Sequence, residues 1–264
     1  MQARRPSAED TPLPLTAHLT ELRSRIFKIL LGWAAGFAVC WSFAEPLFNW
    51  LLAPALEALE ALGPDGGRLQ AIAPTEIFFT YLKCALLAGF VLSLPVFFWQ
   101  LWAFIAPGLY PAEKKAAVPF VLVSTLLFAT GAGFGYEVVF PLIFRFFADF
   151  SAEFVESAWT MREVFALTTR LILAFGTGFE LPVVVFFLSV TGIVTPGQLL
   201  RGAKYAFLGA FVLGAVLTPP DVVSQILLAG PLMALYLVGV GVAWVVTPRR
   251  RAAPEEPGSG EQAG

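Results

Sequence analysis

The chain has 264 residues, of which 58% are hydrophobic and only 14% charged, and its mean hydropathy is +0.76. A soluble domain is nearer half apolar and a quarter charged, so this composition excludes an ordinary soluble fold and indicates a polytopic membrane protein. The net charge of −2 provides no basic field for nucleic acid, and a single histidine, His18, argues against a multi-histidine metal centre.

The first eleven residues are polar and lack a signal-peptide pattern. From Leu15 to Lys28 two stripes share helical spacing: Leu15, Leu19, Leu22 and Ile26 on one, and His18, Glu21, Arg25 and Lys28 on another. This predicts an amphipathic helix at the membrane surface, within a terminal segment 1–25, that runs into the first span. Residues 26–246 then form a six-span transmembrane domain. The apolar runs cover about 26–43, 77–99, 117–139, 165–190, 205–217 and 222–246. All six are expected to be helices, because a span must satisfy its own backbone hydrogen bonds in lipid. Long loops at 44–76 and 140–163 are expected to hold short amphipathic helices. The tail 247–264 is basic, then rich in Pro, Gly and Glu, and reads as disordered.

The fifth run, Tyr205–Leu217, is short. Thirteen residues reach only about 20 Å against a hydrocarbon thickness near 30 Å, so the sequence predicts shielding by protein or a locally thinned bilayer. Pro95, Pro119 and Pro182 fall within runs and are expected to bend them toward a concave bundle. The pairs Gly32/Gly36 and Gly131/Gly135 have the spacing of close helix contacts, expected within the chain rather than between copies. Cys40 and Cys84 lie in apolar surroundings and form no CxxC, as packing residues do.

The charges sort by side. Arg4, Arg5, Arg23, Arg25, Lys28, Lys114, Lys115, Arg201, Lys204 and Arg249–Arg251 share the side of the N-terminus, whereas the opposite loops are acidic. This bias predicts that both termini are cytoplasmic.

Glu180 has no other charge between Leu171 and Val190. An ionised carboxylate near the bilayer centre costs at least ~3 kcal/mol, so it faces a cavity, a partner or a proton, or more plainly hydrogen-bonds a neighbouring helix. Glu21 and Glu113 are cytoplasmic acids beside basic residues and structured loops. A pair of carboxylates can hold paired guanidinium groups, although spacing does not establish that these two converge.

Four separated stretches resemble one family. They are His18-Leu19-Thr20-Glu21-Leu22-Arg23-Ser24-Arg25; Ser93-Leu94-Pro95 through Gln100-Leu101-Trp102-Ala103-Phe104-Ile105-Ala106-Pro107-Gly108-Leu109-Tyr110; Phe179-Glu180-Leu181-Pro182-Val183; and Leu217-Thr218-Pro219-Pro220-Asp221-Val222-Val223-Ser224-Gln225. Together they resemble the TatC family, the receptor subunit of the twin-arginine protein translocase. The resemblance implies an all-α fold of six transmembrane helices in a concave bundle with both termini cytoplasmic, in the bacterial cytoplasmic (inner) membrane. It implies that Glu21 and Glu113 contact the twin arginines of a cargo signal peptide, with Arg23, Phe104, Leu109 and Tyr110 shaping that surface. Glu180 would line the concave face within the membrane, and Pro54 and Pro95 would be structural. Thr218, Asp221 and Gln225 would form a polar groove for single-span TatA- and TatB-like partners.

Further implications are assembly of several copies in a receptor complex, coupling to the proton-motive force, and no enzymatic activity, cofactor or metal. The chain has no GxxxxGK[ST] phosphate loop. Lys114-Lys115 stands where arginines are common in the family, and Ala215 where bulkier residues occur; Glu137 and Arg170 match no motif position. The rival reading is a proton-coupled transporter of a small solute using Glu180. Against it stand the absence of an internal repeat and of a second midplane carboxylate. An intramembrane enzyme is disfavoured by the lack of HExxH and GxSxG.

Overall fold

The computed structural model describes residues 15–61, 69–105, 117–149, 159–218 and 221–246, and every regular element among them is a helix. In chain order these are α1 (Leu15–Trp41), α2 (Ala44–Glu60), α3 (Pro74–Ile105), α4 (Ala117–Phe134), a π-helical segment Gly135–Val139, α5 (Phe140–Asp149), α6 (Met161–Gly178), α7 (Leu181–Val190), α8 (Pro196–Leu217) and α9 (Val222–Val246). Six stretches among them are long and apolar enough to cross a membrane: Leu19–Trp41, Pro74–Ile105, Ala117–Asp149, Met161–Val190, Pro196–Leu217 and Val222–Val246. Their outward faces are apolar, with Leu30, Leu126, Leu213 and Val245 all exposed. Small hydroxyl residues such as Ser93, Ser124, Thr168 and Ser189 are buried instead. Lipid is as apolar as leucine, so helices in it gain by close packing through small residues rather than by hiding large ones.

The glycine pairs show this directly. A Cβ on Gly36 would lie 2.5 Å from the carbonyl oxygen of Gly89, and one on Gly89 would lie 2.5 Å from the backbone nitrogen of Phe37. Backbone therefore touches backbone where α1 crosses α3, and the Trp33 indole N–H donates to the Leu86 carbonyl at 2.8 Å beside that crossing. Gly131 of α4 meets the Phe175 carbonyl oxygen in the same manner, and Gly135 of the π-helical segment meets the Phe175 ring, joining both to α6. Both pairs thus make contacts inside the chain.

Packing is uneven along the bundle. The larger cluster joins Phe48 and Leu52 of α2, Phe140 and Ile143 of α5, Leu171 and Phe175 of α6, and Leu228 of α9. A smaller one joins Leu94 and Phe98 of α3 to Val121 and Phe128 of α4. At the α2 end the chain is also stitched through its backbone: Gln70 N–H donates to Trp159 O and Met161 N–H to Gln70 O, each at 2.9 Å. The Glu76 carboxylate accepts from Ile72 N–H and Arg162 N–H, also at 2.9 Å.

Pro54 is buried inside α2 and has no N–H to give the carbonyl of Trp50, four residues earlier. The Tyr136 hydroxyl donates to that carbonyl at 2.5 Å, and the two rings stack with centroids 4.5 Å apart. A π-helical turn carries Tyr136, so one irregularity completes the other. Pro95 sits inside α3 on its exposed side, where its missing N–H leaves the Val91 carbonyl without the usual helical donor.

Several helix limits differ from the sequence expectation. The fifth span is not thirteen residues but the 22 of α8, about 33 Å at the helical rise. Arg201 and Lys204 interrupt the apolar run without ending the helix: Arg201 Nε donates back to Gly197 O at 3.3 Å, and Lys204 lies 5.0 Å from the Tyr205 ring centroid. A Thr195/Gln198 capping box and Pro196 in the first turn start the helix there. No thinned bilayer is needed to accommodate it. The third span continues through the π-helical segment to Asp149, and Pro119 falls in the first turn of α4, where a missing N–H breaks no helical bond.

Two stability predictions follow from this packing. Gly36→Ala should lower the thermal midpoint of the detergent-solubilised protein through an overpacking cost of about 1–3 kcal/mol. Gly133→Ala, which meets nothing within 4 Å, should hold or raise it; equal midpoints for the two variants would refute the close crossing. Tyr136→Phe should destabilise by about 1–3 kcal/mol, and by much less in a Pro54→Ala background that restores the helical donor. An undiminished loss in the double variant would show that the hydroxyl does not serve the Trp50 carbonyl.

Candidate functional site

The fourth span bends in its middle, with Phe179 and Glu180 both keeping right-handed helical dihedrals. α6 ends at Gly178 and α7 begins at Leu181, with Pro182 in its first turn and Glu180 at the junction. A Cβ on Gly178 would run into the Leu232 side chain, so that helix end sits tight against α9. Before the junction α6 packs on α4; beyond it α7 packs on α9. A gap lies between α7 and the α3–α4 pair.

That gap is an apolar cavity of about 480 Å³. Phe90, Leu94, Phe97, Leu101 and Ile105 of α3 line one wall, and Val183, Val184, Phe187 and Leu188 of α7 the other. Glu180 lines it too, and its Oε1 is buried with no hydrogen-bond partner. Ser124 of α4 is the polar side chain that faces the carboxylate from a neighbouring helix. Aromatic contacts bridge the gap, with Phe187 centred 5.1 Å from Phe120 and 5.2 Å from Trp102.

A second site lies near the start of α1. Glu21 Oε1 accepts from Arg25 Nε at 3.0 Å and from Arg25 Nη2 at 2.5 Å. Arg25 Nη1 reaches across to Gln100 Oε1 of α3 at 3.5 Å. Both members of the ion pair are partly buried, with 20% of the Arg25 side chain and 28% of the Glu21 side chain exposed. Thr20, Glu21, Ser24, Arg25 and Lys28 line an open depression of about 490 Å³. Arg23 is exposed nearby on α1, and Phe104 is half-buried in the last turn of α3.

Leu109, Tyr110 and Glu113, and with them the expected convergence of Glu113 with Glu21, lie outside the described residues. The two sites that are described meet on α3. Gln100 serves the Glu21 pair, while Phe97, Leu101 and Ile105 on another flank of the same two turns line the Glu180 cavity. Sequence reading placed Arg25 on the right stripe but gave Gln100 no role. The available signal was an amide set between Trp99 and Leu101 in an otherwise apolar helix.

At the α2 end, Thr218 is buried and its hydroxyl donates to Gly214 O at 2.8 Å. Asp221 Oδ1 accepts from Ser224 N–H at 2.7 Å, which secures the start of α9 as a capping carboxylate does, while Oδ2 is buried without a partner. Gln225 is half-buried and packs where Gly214 leaves room. Thr218 also lines a cavity of about 630 Å³ with Trp159, Glu163 and Arg170.

The chain resembles known proteins over most of its length. The family model described as "Sec-independent protein translocase protein (TatC)" matches residues 17–231. A Sec-independent protein translocase protein TatC from Desulforapulum autotrophicum is 39% identical over 250 residues, spanning 95% of this chain and 91% of that protein. Its counterpart from Magnetococcus marinus is 42% identical over 227 residues, with 86% and 82% covered. That from Escherichia coli K12 is 39% identical over 234 residues, with 89% of each covered. A crystal structure of the twin arginine translocase receptor TatC superimposes with a TM-score of 0.77 at 35% identity, covering 87% of this chain and 99% of that one. A small-solute transporter finds no support in these likenesses. With most of its length matched at this identity and its six apolar helices in the same fold, the chain is a multi-pass membrane protein that belongs to the Sec-independent protein translocase (TatC) family.

Proposed function

We propose that the chain is the receptor subunit of a twin-arginine translocase in the bacterial inner membrane, with both termini cytoplasmic. In this reading an export signal peptide presents its paired arginines to Glu21 and Glu113, on a surface completed by Arg23, Phe104, Leu109 and Tyr110. Its apolar segment then follows α3 into the cavity beside Glu180. Thr218, Asp221 and Gln225 face single-span TatA- and TatB-type partners at the other end, further copies of the chain join the complex, and the proton-motive force drives transport without catalysis by this subunit. Pro54 and Pro95 are structural.

One observation carries the reading. Glu21 already grips a guanidinium through two donors, and it does so beside the helix whose neighbouring flank lines the intramembrane cavity. A carboxylate and a planar fork of N–H donors match in a way that an ammonium does not. A peptide docked at Glu21 therefore has apolar wall to follow along Phe97, Leu101 and Ile105.

Two outcomes test this. Glu21→Gln should weaken binding of a twin-arginine signal peptide about tenfold or more, since a hydrogen bond to a charged group contributes about 1.5–3 kcal/mol. A Lys-Lys control peptide should lose less; equal losses measured by fluorescence anisotropy would indicate misfolding instead. Glu180→Gln should leave that surface affinity within about twofold while reducing photocrosslinks from the peptide's apolar segment to Leu101. Loss of surface binding in Glu180→Gln would contradict the separation of the two sites.

A further inference from the structure

Glu21 is not an empty acceptor. Arg25 stands one helical turn along α1, in the Glu-then-Arg order at i,i+4 that helices favour, and delivers both Nε and Nη2 to the single oxygen Oε1. A carboxylate oxygen has two lone-pair positions, and Arg25 uses both. A guest guanidinium that docks side by side on the two carboxylate oxygens must therefore take Oε1 from Arg25.

The structure also provides somewhere for the displaced group to go. Arg25 Nη1 already reaches Gln100 Oε1 at 3.5 Å, the long limit of a hydrogen bond. Gln100 is carried on α3, which the Gly36–Gly89 crossing and the Trp33–Leu86 hydrogen bond hold against α1. A swing of one side chain can thus shorten the Gln100 contact while Glu21 is released, with no backbone movement.

Building on the docking role of Glu21 given above, we propose that Arg25 is an internal occupant of the arginine site, displaced by the guest and received by Gln100. Occupancy of this kind sets a threshold. It multiplies the dissociation constant of every ligand of Glu21 by the same factor, because the binding-competent state is only a fraction of the free protein. The pair is partly exposed, so the factor is about two to six. Its selective value is to keep an exposed acid from being claimed by stray cations while the two-arginine ligand still prevails.

The test uses the full chain with its partner subunits in lipid nanodiscs, and fluorescent Arg-Arg and Lys-Lys signal peptides. Arg25→Gln should tighten both peptides by the same factor, about two- to sixfold, leaving their ratio unchanged. Arg25→Lys, which keeps the charge but not the fork, should give a smaller gain for both. Gln100→Met should weaken both about twofold, since the displaced guanidinium loses its acceptor. Unchanged or weaker binding in Arg25→Gln would overturn the inference, as would a gain in Arg25→Gln with none in Arg25→Lys, which would mark simple charge repulsion. Glu21→Gln is measured alongside. If it weakens Arg-Arg binding while Arg25→Gln does not tighten it, docking at Glu21 stands and the internal occupant falls; if Glu21→Gln has no effect, both fall.

Discussion

The bend between α6 and α7 marks the functional half of the molecule. At Phe179–Glu180 the fourth span turns from its packing on α4 to its packing on α9, beside an apolar gap lined by Phe97, Leu101 and Phe187. Glu180 sits at that bend, on the wall of the gap. A carboxylate with a buried, unbonded oxygen in such a place is expensive to keep, and it persists where the surrounding structure or a ligand makes use of it.

The opposite end of the bundle provides the rigidity this requires. There α2 and the α5 end of the third span share a dense aromatic and aliphatic core, and backbone bonds between Gln70 and Trp159–Met161 close the surface. Tyr136 repairs the backbone bond that Pro54 removes. The cavity-bearing end has less to hold it, chiefly the smaller α3–α4 cluster and the bridge from Phe187 to Phe120 and Trp102. A receptor that admits an apolar peptide segment gains from that division, because bistable or loosely packed regions come from the less stable part of a structure.

Much of this was legible in the sequence, and the exceptions have physical causes. Six helices could be read because each must bury its own backbone polarity in a long apolar run. The start of α8 could not, because Arg201 and Lys204 look like a boundary to a hydropathy count yet are ordinary helix residues, with Arg201 bonded back to the Gly197 carbonyl one turn earlier. Glu180 stands out in the sequence as an isolated charge, and Pro182 marks the bend beside it; the exchange of packing partners at that bend leaves no trace in the periodicity. Contacts between residues distant in the chain were hidden. Tyr136 is 86 positions from Trp50 and Gln100 is 75 from Arg25, and no local pattern announces either pair. The family motifs brought out Glu21 and Glu180, but the guanidinium already seated on Glu21 is visible only in three dimensions.

The central claim is that one bound peptide spans both sites, arginines at Glu21 and apolar segment in the Glu180 cavity. Its most direct measurement is photocrosslinking in native membranes, with a photoreactive residue placed at position 24, which lines the Glu21 depression, or at position 101, and a twin-arginine precursor as the partner. The account predicts that position 24 captures the region of the paired arginines and position 101 captures the apolar segment that follows, both dependent on the arginine pair. Capture of the apolar segment at the lipid-facing positions of α8, such as Leu213, with none at Leu101, would contradict it.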